Sequence, residues 1–226
     1  MTESDELTRA RQRMVDEQMR GRGISDPHVL DAMFAVPRHL FVQSEHGHLA
    51  YADAPLPIGH RQTISQPYIV ALMTELLELQ GDETVLEIGT GSGYQAAVLA
   101  HLAKRVYTLE RIPELANQAR DVLSAMGYGN VEVLVVDGSQ GLPEHAPYGA
   151  IIVTAAAPSV PTPLKEQLAD GGRLVLPVGQ QMGQVLERWR RQGDDLMRES
   201  VAPVAFVPLV GEYGWSADEG PRSWWA

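Results

Sequence analysis

Short apolar runs alternate with segments of helical periodicity from about residue 83 onward. The runs predict five strands, at residues 85–88, 106–110, 131–136, 150–154 and 173–177. Helical segments are predicted between them at residues 94–103, 113–126 and 163–168. Because the runs are apolar almost throughout, they predict a parallel sheet that is covered by helices on both faces. Two more strand-like runs, 184–190 and 201–209, have no helix between them and predict an antiparallel edge.

The first 80 residues have a different pattern of apolar and polar positions. A charged helix is predicted over residues 5–20, ending at Gly21 and Gly23. A second, short helix is predicted to begin at Ser25-Asp26-Pro27, because an acceptor side chain would cap it and proline suits a first turn. Residues 57–67 are polar and contain glycine, which predicts a loop, and an apolar helix is predicted over residues 67–79.

Composition and charge exclude several classes of protein. The chain has 226 residues, 44% of them hydrophobic, which suits one domain with a sizeable core. We expect N-terminal helices and a substrate and active-site loop in residues 1–66, an α/β core in residues 67–215 and a tail in residues 216–226. The absence of cysteine excludes disulfides, thiolate metal sites and cysteine nucleophiles. The net charge of −11 argues against a nucleic-acid partner, since phosphate backbones demand a basic surface.

A glycine-rich turn, Gly89-x-Gly91-x-Gly93, leaves the first core strand and opens a helix. Glycines let a backbone turn sharply and approach a ligand closely. The third glycine of a dinucleotide fingerprint would fall at position 94, which is Tyr94. The turn therefore favours S-adenosylmethionine, which carries no phosphate, over a dinucleotide, and a plain tight turn is the alternative.

Two carboxylates end the next two strands, where open α/β sheets bind ligands. Glu110 stands about 20 positions after the first glycine, the spacing of a carboxylate that binds a ribose diol. Asp137 could accept a hydrogen bond from an adenine amino group, with Gly138 allowing close approach. A solvated strand end and an ordinary Asp-Gly turn are the alternatives for these two positions.

The loop Pro57-Ile58-Gly59-His60-Arg61-Gln62-Thr63-Ile64-Ser65-Gln66-Pro67 resembles the signature of protein-L-isoaspartate O-methyltransferases. The runs 22–24, 36–38, 50–53, 152–158 and 206–211 also look like that family and follow in its order. Many methyltransferases share the glycine-rich turn, whereas the T-I-S-Q-P loop before it is much more specific. The resemblance spans about residues 14–215 and implies a Rossmann-like, S-adenosylmethionine-dependent methyltransferase fold.

The resemblance also implies a reaction and a site. The family transfers a methyl group from S-adenosylmethionine to the α-carboxylate of L-isoaspartyl residues in damaged proteins and peptides. The ester re-closes to a succinimide, and hydrolysis returns some normal aspartate. By resemblance, Ser65 is the active-site serine and Thr63 is a second catalytic candidate. The implied cofactor-binding residues are Gln62, Thr63, Ile64, Ser65, Glu87, Gly89, Gly91, Gly93, Glu110, Arg111, Asp137 and Gly138.

The chemistry needs neither a metal nor a general base. An α-carboxyl has a pKa of roughly 3.5, so the substrate's own carboxylate is ionised at neutral pH. We hypothesise that Ser65 orients this carboxylate by a hydrogen bond; capping of the following helix is its alternative role. Backbone around Ile58 and Gly59, and around residues 155–158, could pair with an extended peptide. The substrate-binding candidates are thus Ile58, Gly59, Ser65, Ala155, Ala156 and Ala157.

Other functions fit parts of the pattern. Amino-group methylases of nucleic acid often carry an Asn/Asp-Pro-Pro-aromatic motif after the fourth strand, where this chain has Thr154 and three alanines. A relative that methylates one aspartate of a dedicated biosynthetic peptide would share the whole fingerprint and stays open. A binding module without catalysis is disfavoured by the intact glycines and Ser65. An NAD-dependent oxidoreductase is disfavoured by Tyr94 and by the lack of a catalytic Tyr-Lys or His pair.

Remaining polar groups receive simpler interpretations. His46 and His48 near Asp53 are expected to be polar surface, and no metal is expected. The arginines 188, 190 and 191 are expected to be solvated at a strand end, and Trp224-Trp225 receives no role. No apolar segment resembles a signal peptide or approaches the roughly 20 residues of a membrane span. We expect a cytoplasmic monomer with isoaspartyl-containing proteins and peptides as partners, and with neither nucleic acid nor membrane.

Overall fold

The N-terminal helix changes its winding part of the way along. The computed structural model describes residues 5–180 and 183–216, and its first helix, α1, spans Asp5–Arg13. A π-helical segment at Met14–Met19 and a 3-10 turn at Arg20–Arg22 follow. The prediction of one regular helix over residues 5–20 is therefore wrong beyond Arg13. Met14 and Met19 are both buried, and π winding brings residues five apart onto one face.

The second helix begins as the sequence predicts. Helix α2 spans Pro27–Ala35, and the Asp26 carboxylate accepts a hydrogen bond of 2.8 Å from the backbone N–H of His28. The cap satisfies a donor that the first turn leaves open. The helix places Val29 and Met33 against the N-terminal segment and the core.

Residues 57–67 form a hairpin rather than the predicted loop. Strands β1, Leu56–Gly59, and β2, Gln62–Ile64, pair antiparallel. Gly59, His60 and Arg61 all have positive φ, at 89°, 50° and 57°, as tight hairpin turns require. The sequence lacks the Asn-Gly or Asp-Gly pair that usually signals such a turn, which is why the strands are missed.

The α/β core follows helix α3, Pro67–Glu75, and consists of seven more strands and three more helices. The strands are β3, Thr84–Ile88; β4, Arg105–Glu110; β5, Val131–Val135; β6, Tyr148–Val153; β7, Leu168–Val178; β8, Gln184–Gln192; and β9, Asp195–Val204. The helices are α4, Tyr94–Ala100; α5, Pro113–Ala125; and α6, Thr162–Glu166.

The seven strands form one sheet in the order β5-β4-β3-β6-β7-β8-β9. The first five are parallel, whereas β8 and β9 are antiparallel, which confirms the predicted fold class. The chain moves outward from β3 to β5 and then returns to the other side of β3. Such a reversal of strand order opens a crevice at the carboxyl ends of β3 and β6, where ligands bind in folds of this class.

Two strands begin well before their predicted starts, and the last strand also ends early, at Val204 rather than at residue 209. The last strand begins at Asp195 rather than at residue 201, and β7 begins at Leu168 rather than at residue 173. Residues Asp195 to Ser200 are mostly exposed at the edge of the sheet, so their polar side chains carry no apolar pattern. Within the described ranges, no helix is long and apolar enough to cross a membrane.

Arg188 and Arg190 form ion pairs instead of being solvated. Both guanidinium groups contact the carboxylate of Glu78, which also pairs with Arg173 at 3.3 Å. Partial burial acts to raise the pKa of Glu78, but Arg190, Arg173 and Arg188 outweigh it and hold that pKa below its usual value. Glu78 follows α3, and this cluster ties the loop after the helix to β7 and β8.

Glu78→Gln should lower the free energy of unfolding by about 1 kcal/mol at neutral pH, because it removes the shared acceptor of an ion-pair network. A carboxyl whose pKa is lowered in the folded state stabilises the fold at pH values above its usual pKa of 4.5. This stabilisation is lost as the pH falls below that value. Urea unfolding at pH 7 and at pH 3.5 measures both effects. The exposed Glu144→Gln is the control, and a difference for Glu78→Gln that persists unchanged at pH 3.5 would contradict the ion-pair origin.

Candidate active site

The glycine-rich turn is held against β6 by a contact that leaves no room for a side chain. Gly89 has a φ of 97°, and a Cβ there would lie 2.4 Å from Oγ1 of Thr154. That hydroxyl donates a hydrogen bond of 2.7 Å to the Gly89 carbonyl. Glycine is thus required by the backbone angle and by the approach of Thr154.

The Glu110 carboxylate is fixed at the end of β4 by two backbone donors. Its Oε2 accepts from the N–H of Gly91, and its Oε1 accepts from the N–H of Ile112, each at 3.0 Å. Each oxygen retains a second lone pair for a ligand. The group is 6% exposed and lines a cavity at the sheet's carboxyl edge, so a ligand diol would meet a preoriented acceptor.

This cavity, called here the nucleotide cavity, collects most of the predicted cofactor residues. Apolar walls come from β3, β4 and a later segment of the chain. Its predicted lining residues are Gln62, Thr63, Gly89, Gly91, Glu110, Arg111 and Gly138, and its other lining residues are Ile88, Leu109, Ile112, Thr154, Ala155, Val207, Pro208, Leu209 and Val210. An adenosyl group needs an apolar slot and an acceptor for its ribose diol, and this set provides both.

Five predicted cofactor residues do not line this cavity: Ile64 and Ser65 belong to a neighbouring cavity, Glu87 is buried beneath the turn, and Gly93 and Asp137 lie elsewhere. Gly93 packs against α5, where a Cβ would lie 3.2 Å from that of Ala119. The Asp137 side chain turns away from the cavity wall, and its oxygens accept from Ser139 and from the backbone of Glu212. Gly138 is the residue of this pair at the wall, where a Cβ would meet Ile88 at 2.6 Å.

Thr63 and Thr154 stand where three cavities meet. Both line the nucleotide cavity and a smaller cavity that also contains Ile64, Ser65 and Tyr94. Both also line a cleft that opens to the surface, called here the peptide cleft. A group held in one cavity can therefore meet a group held in another at these two threonines. No role for Thr154 is predicted from the sequence, because a lone threonine after a strand gives no signal.

The peptide cleft has an uncharged lining. It is formed by Pro55, Thr63, Ser65, Gln66, Ile69, Thr154, Pro203, Val204, Ala205, Phe206 and Val207. Ser65 has no hydrogen-bond partner in the described chain, and the cap of α3 is Gln66, without a side-chain hydrogen bond. The capping role suggested for Ser65 is therefore wrong, and its hydroxyl is available to a ligand.

Residues 156 and 157 cannot pair with a peptide as predicted. The N–H of Ala156 donates to Val207, and its carbonyl accepts from Leu209, each at 2.8 Å. Ala157 is bonded in the same way to Pro177 and Gly179, and both alanines are buried. Their backbone groups are already satisfied by the chain itself. Residues 203–207, for which the sequence predicts no substrate contact, line the cleft instead.

Ile58, Gly59 and Ala155 also stand apart from the peptide cleft. Ile58 is buried in the hairpin and approaches Gly91, whereas Ala155 lines the nucleotide cavity. His46 and His48 lie in a 3-10 segment, Ser44–Leu49, and no group of three metal-binding side chains occurs among residues 5–180 and 183–216. Trp224-Trp225 lies outside the described residues.

Glu87 is a buried carboxyl beneath the glycine-rich turn. It is 0% exposed, and within the described chain neither of its oxygens has a hydrogen-bond partner of suitable geometry. Burial raises the pKa of Glu87 to about 8; the Thr108 hydroxyl acts against this shift, and the nearby Glu110 carboxylate adds to it. The group is therefore largely protonated near neutral pH in the ligand-free protein.

Glu87→Gln should stabilise the ligand-free protein increasingly as pH rises. A raised folded-state pKa gives stability that is complete below the usual pKa of 4.5 and is lost as pH rises towards 8. Glutamine has nearly the same shape as glutamate but does not ionise. The free energy of unfolding of the variant at pH 8 should therefore exceed that of the wild type by on the order of a few kcal/mol. Urea unfolding at pH 5, 6.5 and 8 measures it, with the exposed Glu166→Gln as control. A pH-independent difference would refute the assignment.

Comparisons with known proteins agree with the geometry. A family model described as protein-L-isoaspartate(D-aspartate) O-methyltransferase matches residues 9–214. A protein-L-isoaspartate O-methyltransferase of Geobacter metallireducens is 59% identical over 211 residues, which cover 93% of this chain and 98% of that one.

Two solved structures share the fold. One, a protein-L-isoaspartate O-methyltransferase, has a TM-score of 0.82 at 28% identity and covers 90% of this chain and 67% of its own. A Plasmodium falciparum protein in complex with S-adenosyl-L-homocysteine has a TM-score of 0.76 at 24% identity, covering 87% of this chain and 96% of its own. The family match over residues 9–214 confirms the resemblance seen in the sequence: this chain belongs to the protein-L-isoaspartate(D-aspartate) O-methyltransferase family.

Proposed function

We propose that this protein methylates the α-carboxylate of L-isoaspartyl residues in damaged proteins and peptides and thereby starts their repair through a succinimide. The observation that carries the proposal is the junction at Thr63 and Thr154, which joins a nucleotide cavity to an uncharged cleft beside Ser65. S-adenosylmethionine, when bound, supplies the methyl group on a sulfonium sulfur. The nucleotide cavity is its site, with Glu110 as the acceptor for the ribose diol.

Ser65 orients the substrate carboxylate. Its hydroxyl has no partner in the described chain and lines both the peptide cleft and the small cavity behind it. A hydroxyl can donate one hydrogen bond to a carboxylate oxygen and leave the other oxygen free to react. Fixing the direction of attack in this way supplies much of the barrier reduction in a displacement at carbon. Thr63, on the same hairpin, assists or holds the strand in place.

The uncharged lining of the cleft favours reaction over tight ground-state binding. A lysine or arginine at the cleft would pair with the carboxylate before reaction and would lose that pairing as the ester forms. The lining side chains named above are neutral, so the carboxylate keeps its nucleophilicity. Ile69, Phe206 and Thr154 help to exclude water from the junction, which strengthens the short-range interactions that remain.

We further propose that the peptide lies along residues 203–207 and that the protein works as a cytoplasmic monomer without nucleic acid. The acidic net charge of −11 supports the last point. A relative acting on one aspartate of a dedicated biosynthetic peptide is the second candidate, since it would use the same cavities. The two candidates differ in whether unrelated isoaspartyl peptides are accepted.

Two peptides that differ only in carrying L-isoaspartate or L-aspartate at one position test the substrate class. With labelled S-adenosylmethionine, we expect base-labile label only on the isoaspartyl peptide, because the longer backbone of isoaspartate places its α-carboxylate at the junction. A second pair of unrelated sequence should give the same result. Label on neither isoaspartyl peptide, with cofactor still bound, would reject the repair function and leave the dedicated-peptide candidate.

Ser65→Ala should lower kcat about 100-fold, since a misplacement of a reacting group by about 1 Å can cost 10²-fold in rate. The KM for S-adenosylmethionine should change little, because Glu110 and the glycine-rich turn remain intact. Steady-state assays with the isoaspartyl peptide measure both constants. The remote Ser124→Ala serves as the matched control. Full activity in Ser65→Ala would exclude the orienting role.

A further inference from the structure

Gln66 lines the peptide cleft and carries a hydrogen-bond acceptor that the chain itself does not use. It follows Ser65 directly and is the N-cap of α3, but its side chain does not bond to that helix. Instead, Nε2 of Gln66 donates a hydrogen bond of 3.2 Å to the backbone carbonyl of Asp53. A carbonyl oxygen can only accept, so this contact fixes which end of the carboxamide is the nitrogen. The amide oxygen of Gln66 is left as an acceptor without a partner in the described chain.

The carbonyl that Gln66 contacts belongs to a loop that side chains of the N-terminal segment fasten in place. Residues 50–55, called here the cleft loop, lead into β1 and end at Pro55, which lines the peptide cleft. Two backbone carbonyls of the loop accept hydrogen bonds of 2.8 Å, that of Ala50 from Arg38 and that of Tyr51 from Gln18. The loop is therefore a fixed support for the carboxamide of Gln66.

Arg22 joins the cleft loop to the start of α3. Its Nη1 lies 2.8 Å from Oδ2 of Asp53, and its guanidinium carbon lies 3.5 Å from the ring centroid of Tyr68, in the first turn of α3. A planar guanidinium can stack on an aromatic ring while its N–H groups reach a carboxylate. These contacts give a structural reason for two of the family-like runs, 22–24 and 50–53, which contain no residue of the proposed chemistry.

We propose that Gln66 binds the main chain of the substrate peptide, with its amide oxygen accepting a hydrogen bond from a peptide N–H beside the isoaspartate. Arg22 is a positioning residue that holds this carboxamide through Asp53. The inference rests on the proposed function, because it adds a second contact to the peptide whose carboxylate Ser65 orients. Ser65 and Gln66 are consecutive, so their Cα atoms are about 3.8 Å apart. A carboxylate and an N–H that are a few bonds apart in one peptide can reach both side chains together.

A main-chain contact suits a substrate that is defined by its damage rather than by its sequence. Every residue except proline offers a backbone N–H, whereas side-chain donors differ from one damaged protein to another. The lining of the cleft is uncharged, so charged side chains of the peptide find no ionic partner in it. The amide oxygen of Gln66 is neutral and does not repel the substrate carboxylate as an acidic side chain would. Gln66 therefore adds affinity for isoaspartyl peptides of any sequence.

Gln66→Met keeps the length of the side chain and removes the acceptor. The KM for an isoaspartyl peptide should rise about five- to tenfold, as expected for one neutral hydrogen bond, while kcat and the KM for S-adenosylmethionine stay within about twofold. The matched control is Gln192→Met, which is exposed at the end of β8 away from the peptide cleft and should change none of these constants. A fall in kcat with an unchanged peptide KM would contradict the binding role.

Ester-substituted peptides separate a main-chain contact from a structural effect of the substitution. In two otherwise identical isoaspartyl peptides, an ester oxygen replaces the N–H of the isoaspartate or the N–H of the residue that follows it. One of the two esters should raise the KM of the wild type about five- to tenfold and should leave the KM of Gln66→Met unchanged. An ester effect of the same size in both proteins, for both peptides, would overturn the proposal.

Two substitutions of Arg22 test its positioning role. Arg22→Met should raise the peptide KM about threefold, because a partly exposed ion pair contributes less than the direct contact. Arg22→Lys keeps a positive charge beside Asp53 and should restore most of the wild-type KM. If Arg22→Met lowers kcat and raises both KM values alike, and lysine restores none of them, the role is structural and the positioning role is refuted.

The wild-type assay with all-amide peptides separates this inference from the proposed function. If the wild type methylates no isoaspartyl peptide, the proposed function is rejected, and the contact that rests on it is rejected too. If the wild type methylates these peptides and Gln66→Met keeps the wild-type peptide KM, only the inference is rejected. A raised peptide KM in Gln66→Met, together with loss of the ester effect, supports both.

Discussion

The contact between Thr154 and Gly89 is the constraint on which the site depends. The Thr154 hydroxyl bonds to the carbonyl of Gly89, and the Thr154 N–H donates to Ile88 at 2.9 Å. These bonds join the ends of β3 and β6 at the point where strand order reverses. Because the backbones come this close, position 89 has no room for a side chain. The nucleotide cavity lies on one side of Thr154 and the peptide cleft on the other.

Charge is divided between these two sides in a way that suits methyl transfer to a carboxylate. Glu110 lines the nucleotide cavity and is almost completely buried, whereas Glu87, beneath the turn, is largely protonated near neutral pH and adds little charge there. The peptide cleft presents hydroxyl, amide and apolar groups. An acidic environment favours a cationic ligand in the nucleotide cavity, while the neutral cleft leaves the carboxylate of the peptide unpaired until it reaches the junction. The acidic net charge of the chain makes its surface favour cations as well.

The sequence predicts the parts of the fold that depend on burial and local pattern. Strands β3, β4 and β6 are covered on both faces, so their apolar runs identify them, and the rule for open sheets places Gly89 and Glu110 at one edge. The parts that depend on long-range contacts are missed. Ala156 receives its backbone partners from residues about 50 positions later, and Glu78 meets arginines about 100 positions later. No local pattern carries that information.

The register of the hairpin decides which side chains of its second strand face the peptide cleft. Ile64 is 3% exposed, whereas Thr63 and Ser65 on either side of it line the peptide cleft. Alternate residues of a strand point to opposite faces, so the burial of Ile64 directs both neighbours toward the peptide cleft. A slip of one residue would place Ile64 at the junction and a hydroxyl in the core. The positive φ angles at Gly59, His60 and Arg61 are tolerated because the turn they form holds this register.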